Sequence, residues 1–350
     1  MEKIKAIHLF AGTGTWTRAF QSQGIEVVWA QEEEKDPAAI YRYNFPQVPF
    51  YQGKLDEVME KIPTHDLLLT SLKIPFSKKS ENPYTFEEDQ ENQIGRILAK
   101  HHPRVVLMML PVMAAIRKSK IFDILEKENY AFTYKILEKT QDGGIPVRGK
   151  KAYLIGFQKD SDFLKFQFPA SCQHIASIDE LWEGSRQKEE LYTRVPQSYQ
   201  RLFENQKLSL GKIYQVVHKR KPEGERELVL QMCELCPSMT ARNYRDIFTV
   251  DPRGIRRLTA EEYVSLSGDR ETVFPSQMSQ DKIWRAIGRM GVYAIEKRLA
   301  IQTKKALGME LSYHQTEYPL HEFFGDQLLR SFDQFLYKKK IGLLCMPSGT

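Results

Sequence analysis

Apolar positions in the first half of the chain come in short blocks, separated by polar stretches with helical spacing. The first block, Ile7-His8-Leu9-Phe10-Ala11, runs straight into Gly12-Thr13-Gly14-Thr15. A helix over Trp16–Gln23 follows, Gly24 stops it, and Glu26–Ala30 reads as a second strand. This is a βαβ unit with its glycine turn at the carboxyl end of the first strand, where open α/β sheets bind ligands. Glycine there lets the backbone approach a small molecule closely. A structural tight turn would use the same two glycines, since the run lacks the full dinucleotide fingerprint.

The alternation continues. Asp36-Pro37 opens a helix over Ala38–Tyr43, and Asp66–Thr70 is a short buried strand with a loop, 71–79, after it. Glu81–Glu91 is a polar loop, Asn92–Lys100 a helix, and Arg104–Leu110 a strand that Pro111 ends. A helix over Ser119–Glu128 precedes two more strands, Tyr130–Leu137 and Lys151–Phe157, which flank the loop Gly143–Gly149. The spacing predicts an α/β fold with a doubly wound, mainly parallel sheet. From Phe163 to Pro252 the pattern turns irregular, with a basic run at His218-Lys219-Arg220-Lys221, and predicts a smaller second lobe. Helical periodicity returns at Arg256, with Thr259 as an N-cap and a long helix ending at Leu307. In the tail, Gln327–Leu336 has a wide apolar face, expected to pack on the main domain.

Composition narrows the setting. Of 350 residues, 41% are hydrophobic and 27% charged, as in soluble globular proteins, so a cytoplasmic or nucleoid-associated protein is expected. No run of about eighteen apolar residues occurs, so no membrane partner is expected. The segment Met1–Lys5 lacks the apolar core of a secretory signal. Cys172, Cys233, Cys236 and Cys345 are too few for a disulfide framework. The Cys233/Cys236 pair has no second pair, and His218 is wrongly spaced, so no metal site is expected. A net charge of +6 permits a nucleic-acid partner without requiring one.

Several pieces together carry a resemblance: Ile7–Thr15; Ala30–Lys35 through Tyr41–Pro46; Pro75-Phe76-Ser77; Gly144-Ile145-Pro146; Tyr153–Phe157; Ser238–Arg242; Arg256–Glu262; and Ile287-Gly288-Arg289. In this order they resemble the motifs of the cytosine-C5 DNA methyltransferases, over about residues 4–158 and 238–307. The resemblance implies a Rossmann-like, class I methyltransferase domain whose cofactor-side half is 1–160. A target-recognition lobe at 161–252, a return segment at 253–310 and a helical tail at 311–350 follow.

In that family a cysteine thiolate adds to C6 of a flipped cytosine, a glutamate holds the ring, and the methyl group of S-adenosylmethionine passes to C5. The alignment puts Lys73 at the nucleophile position and Leu110 at the glutamate position. Val147 stands at the glutamine of a Gln-x-Arg-x-Arg motif, whose arginines become Gly149 and Lys151. An ammonium does not make the addition unless its pKa falls by several units, and leucine neither donates nor accepts. The resemblance therefore implies no catalytic residue. Phe10, Gly12, Gly14 and Glu32 match cofactor positions, although the acidic run at Glu32 and Glu34 equally suits a helix entrance. His8 replaces the first motif's aspartate, Lys54 the adenine-contacting aspartate after Gly53, and Arg289 the last motif's asparagine, while Thr13 and Thr15 stand near the methionine. S-adenosylmethionine is thus expected to bind weakly or not at all. The pocket beside Gly12 and Glu32 is either open or filled by Trp16, Lys54 or Arg289.

Lys73, Lys78, Lys79, Lys219, Arg220, Lys221 and Arg242 are the expected DNA contacts. Arg201, Lys207, Lys212, His218, Arg226 and Arg245, interleaved with Tyr192, Tyr199, Tyr214 and Tyr244, extend the basic lobe. Phosphate contacts of this kind weaken steeply with salt, and a solvated basic face would look the same. Three functions follow. The first is a catalytically silent homologue that binds DNA or regulates an active methyltransferase or restriction-modification partner. The second is an active DNA or RNA cytosine methyltransferase with non-standard residues. The third is a protein-interaction scaffold that keeps only the fold.

Overall fold

The computed structural model describes residues 4–72, 90–116, 119–178, 195–204, 206–220, 224, 226–239, 243–288 and 290–309. Seven strands share one sheet: β1 (Lys5–Leu9), β2 (Glu26–Glu32), β3 (Phe50–Gln52), β4 (Leu67–Ser71), β5 (Val105–Leu110), β6 (Ala131–Glu138) and β7 (Lys150–Phe157). Their order is β3-β2-β1-β4-β5-β7-β6. Neighbours from β3 to β5 pair in parallel, and β7 runs against both β5 and β6. The doubly wound, mainly parallel sheet expected from the alternation is thus present. Strand β5 is buried at every position, as befits a strand covered on both faces. Its start, Val105, pairs with Phe157 and its end, Leu110, with Ala152, so β7 begins at the carboxyl end of the parallel strands.

Helices α1 (Thr15–Gln21), α2 (Lys35–Asn44), α3 (Gln90–His101), α4 (Val112–Ile116), α5 (Lys120–Lys127) and α6 (Asp160–Phe163) belong to the first half. Ile94, Ile97 and Leu98 form one stripe of α3 at helical spacing. They join Ile121 and Leu125 of α5 over Leu68, Val106 and Leu154 in the main core. Helix α3 starts at Gln90, inside the stretch expected to be polar loop, and the short β3 and α4 carry too few residues to show a period. Strand β2 continues through Gln31 and Glu32, so the expected stop at Ala30 is corrected. Both of those side chains are buried because they bond to backbone, not because they are apolar.

The lobe expected to be irregular contains an ordered antiparallel sheet, a second correction. Its strands are β8 (Ile213–Arg220), β9 (Arg226–Cys233), β10 (Ile247–Asp251) and β11 (Gly254–Arg257), in the order β11-β10-β8-β9. Helix α7 (Gln197–Glu204) supplies Tyr199 and Phe203 to its core, against Tyr214, Val216, Leu230 and Phe248.

Three helices complete the described chain: α8 (Ala260–Leu266), α9 (Gln280–Ile287) and α10 (Tyr293–Ala306), which packs along α1. Thr259 caps α8 as expected: its hydroxyl accepts from Glu262 N at 3.1 Å, and Glu262 Oε2 accepts from Thr259 N at 2.8 Å. The fully buried Arg256 donates to Glu262 through both terminal nitrogens, at 2.9 and 2.7 Å, and to Asp251 at 2.9 Å. No described helix is long and apolar enough to cross a membrane.

Candidate functional site

Strand β1 leaves the sheet through three left-handed residues, Phe10 (φ 50°), Gly12 (φ 57°) and Gly14 (φ 96°). A non-glycine residue there is strained, and such strain is typically held at functional turns. The two glycines answer to different demands. A Cβ on Gly14 would lie 2.3 Å from the Phe45 ring, so packing requires that glycine. A Cβ on Gly12 would meet nothing within 4 Å.

Beside this turn, the buried carboxylate of Glu32 accepts from Gly12 N at 2.6 Å and from Glu34 N at 2.9 Å. The Gln31 amide accepts from Phe10 N at 3.1 Å and donates to Gly53 O at 2.7 Å. The turn, the end of β2 and the loop after β3 thus form one network. Two backbone N–H groups thus hold the Glu32 carboxylate in place. The open space at Gly12 and the fixed acceptor beside it fit a ribose-bearing ligand. Lys54 is exposed, and Trp16 is buried against Phe20 and Tyr153.

Behind the turn, His8 Nδ1 lies 2.8 Å from Thr17 Oγ1, which lies 2.8 Å from the Tyr41 hydroxyl. Burial holds His8 down at about 3, so the ring is neutral at physiological pH. A neutral ring stands here where the resembling motif has a carboxylate.

Of the three expected reaction positions, Leu110 lies at the carboxyl end of β5, next to the end of β4. Ser71 is in register with Met109, and Leu72 N donates to Met109 O at 3.0 Å. Leu110, 1% exposed, ends β5 beside them, and Lys73 is the next residue in sequence after Leu72. Lys73, Lys78, Lys79, Lys221, Arg242 and Arg289 lie outside the described residues. Val147 is fully buried and bridges in parallel to Cys236. Arg148 N donates to Cys236 O at 2.8 Å, and Cys236 N to Pro146 O at 2.7 Å. Position 147 thus ties the loop before β7 to the chain that follows β9. Burial pushes the thiols of Cys172, Cys233 and Cys236 up, so none is a ready thiolate. Among the described residues, no group of three or more His, Cys, Asp or Glu side chains could hold a metal ion.

Two charged groups escaped the sequence reading. Glu296, on the first turn of α10, is wholly buried, and neither of its carboxylate oxygens has a hydrogen-bond partner. Burial raises it to about 8, against smaller lowering effects from Thr15 and Lys151. Lys139 is buried too. Burial and then Lys151 lower its ammonium to about 8, and Nζ donates to Ser238 Oγ at 3.2 Å. A signal for Glu296 does exist in the sequence: it stands four residues after Val292 and three before Leu299, on the apolar stripe of its helix.

In the second lobe, His218, Lys219 and Arg220 are exposed at the end of β8. Lys219 is in register with Glu227, and His218 Nε2 lies 3.6 Å from Asp246. Arg245 pairs with Asp281 at 2.9 Å, which takes it out of a freely solvated basic face. Lys219 and Arg220 are thus the expected DNA contacts that the described structure presents on the surface.

A family model for C-5 cytosine-specific DNA methylase matches residues 4–290. The type II methyltransferase M.DsaV of Dactylococcopsis salina is 26% identical, over 96% of this chain and 95% of that protein. M.Bsp6I of Bacillus sp. (strain RFL6) is 23% identical, over 87% of this chain and 99% of its own. Among solved structures, a mutant DNMT2 of Spodoptera frugiperda superposes with a TM-score of 0.64 at 16% identity, covering 86% of this chain and 99% of that one. The Entamoeba histolytica methyltransferase EhMeth gives 0.62 at 13% identity, over 88% and 99%. These structural likenesses establish a common fold.

Proposed function

Because the chain belongs to the C-5 cytosine-specific DNA methylase family, we propose that it is a member that has lost cysteine-dependent methyl transfer. In this reading it acts as a DNA-binding or regulatory subunit, beside an active cytosine methyltransferase or within a restriction or defence system. The observation that carries the reading is the register at the ends of β4 and β5. Leu110 ends β5 next to Leu72, the residue before Lys73 in sequence, and this supports reading the nucleophile and ring-holding positions as neighbours that carry neither group. The buried Val147 removes the amide that would steady an adduct. None of the described cysteines is in that corner: Val147 pairs with Cys236, Cys233 ends β9, and Cys172 Sγ takes a contact from Arg298 at 3.0 Å. Without a thiolate the ring is not activated at C5, and without the acid the charge that develops on it is not held.

Binding to DNA is the remaining role the scaffold supports. The relatives are type II methyltransferases, the family model is for a DNA methylase, and Lys219 and Arg220 stand exposed on the second lobe. S-adenosylmethionine, the family's methyl donor, would meet an intact ribose end at Glu32 and Gly12. The test is methyl transfer from labelled S-adenosylmethionine to duplex DNA and to RNA, with this chain alone and with a neighbouring methyltransferase. The expected result is no label with the chain alone and altered labelling when the partner is present. Label in either nucleic acid with the chain alone would overturn the reading. Duplex binding that weakens with salt is expected of the chain itself.

A further inference from the structure

The main domain has a group of buried polar atoms without partners, and it lies beyond the β1 turn rather than at Glu32. Both oxygens of Glu296, the Tyr153 hydroxyl and the Trp16 indole N–H are buried with no hydrogen bond. Trp16 and Tyr153 meet edge to face at 5.7 Å. Tyr153 is in register with Met109, at the carboxyl end of β5. A Cβ on Gly291 would lie 1.8 Å from Glu296 Oε1 and 2.6 Å from Thr15 Oγ1. The missing side chain at Gly291 is therefore what makes room for the carboxylate, and Thr15 closes it in.

We propose that Glu296 plugs the amino-acid end of the cofactor cleft, so that this chain takes an adenine ribonucleoside without an amino-acid arm in preference to S-adenosylmethionine. The order β2-β1-β4 puts the switch point of the sheet between β1 and β4, where ligands of such sheets lie. A ribose held by Glu32 and Gly12 sits on the β2 side of that point. An arm leaving it must cross the strand ends toward Thr15 and the start of β7, and that is where Glu296 is packed. A zwitterionic arm would have to enter a dry corner whose space the Glu296 carboxyl group already fills. Burying a charged arm also requires hydrogen-bond partners, and Thr15 and Gly291 enclose the one acceptor on offer.

The inference rests on family membership and not on the loss of methyl transfer. Its readout is heat of binding, so it and the proposed function fail separately. Titration calorimetry of the full chain compares 5′-methylthioadenosine with S-adenosylmethionine. The thioether nucleoside is expected to bind about ten-fold tighter or more. Glu296→Ala is expected to erase or reverse that gap, and Glu296→Ser, which also empties most of the volume, to narrow it. Thermal unfolding checks that each variant is folded; if the alanine variant is not, the serine variant decides. Tighter binding of S-adenosylmethionine to the unaltered chain overturns the proposal. So does a gap that no folded variant changes, or absence of binding by either nucleoside.

Discussion

The two sides of the β1 turn are built on opposite principles. At the Glu32 end the polar groups are paired: Gln31 satisfies Phe10 N and Gly53 O, and Glu32 satisfies Gly12 N and Glu34 N. At the Glu296 end, a carboxylate, a phenol and an indole N–H are buried without partners. Buried polar groups are nearly always satisfied, so the first end is a finished structure and the second is held together by its surroundings. The difference teaches that one turn can have its polar groups fully paired on one side and stranded on the other. Both ends come from the same strand and turn, three residues apart at Gly12 and Thr15.

The largest effect that would break this contrast is its pH dependence. His8, lowered from 6.5 to about 3, contributes stability that is complete above about 6.5 and is lost as pH falls toward 3. Glu296, raised from 4.5 to about 8, contributes stability that is complete below about 4.5 and is lost as pH rises through 8. Each limb is on the order of 5 kcal/mol. Denaturant unfolding across pH should show His8→Asn flattening the acid limb and Glu296→Gln flattening the alkaline one. Identical profiles for the two variants would mean that the ends are not separate.

Next in size is Gly14→Ala, which forces a side chain against Phe45 in a left-handed turn. It is expected to cost about 3 kcal/mol in unfolding free energy. Gln31→Leu should cost about 2 kcal/mol, because it strands a buried N–H and a buried C=O. Its effect should vanish if the network at Glu32 is ornamental. The smallest change is Gly12→Ala, at about 1 kcal/mol, since only the backbone objects. A loss as large as that of Gly14→Ala would show that the space at Gly12 is not open.

Much of the sheet was legible because its signal is local. An all-apolar β5 and an apolar β1 ending in glycines declare themselves, as does the Thr259 capping box. The second sheet was hidden because β8 carries its apolar alternation in Ile213–Val217 and then ends in three exposed basic residues, too short a pattern to separate from loop. The extension of β2 was hidden because Gln31 and Glu32 are buried for hydrogen bonding, which no hydrophobic pattern records. The residues at the proposed reaction positions, Leu110 and Val147, were legible directly in the sequence. The buried Glu296 was not. One glutamate on an apolar stripe looks like an accident until Gly291 and Thr15 are seen on either side of it.

Under the proposed loss of methyl transfer, Gly12 and Gly14 will age differently in the lineage. Gly14 is pinned by Phe45 and must persist for as long as the protein folds. Gly12 has only its backbone angle to defend it, and a cost that small is readily tolerated by drift. If descendants of this chain keep Gly12 while their reaction positions wander, something that visits the turn is still under selection, and that glycine is its footprint.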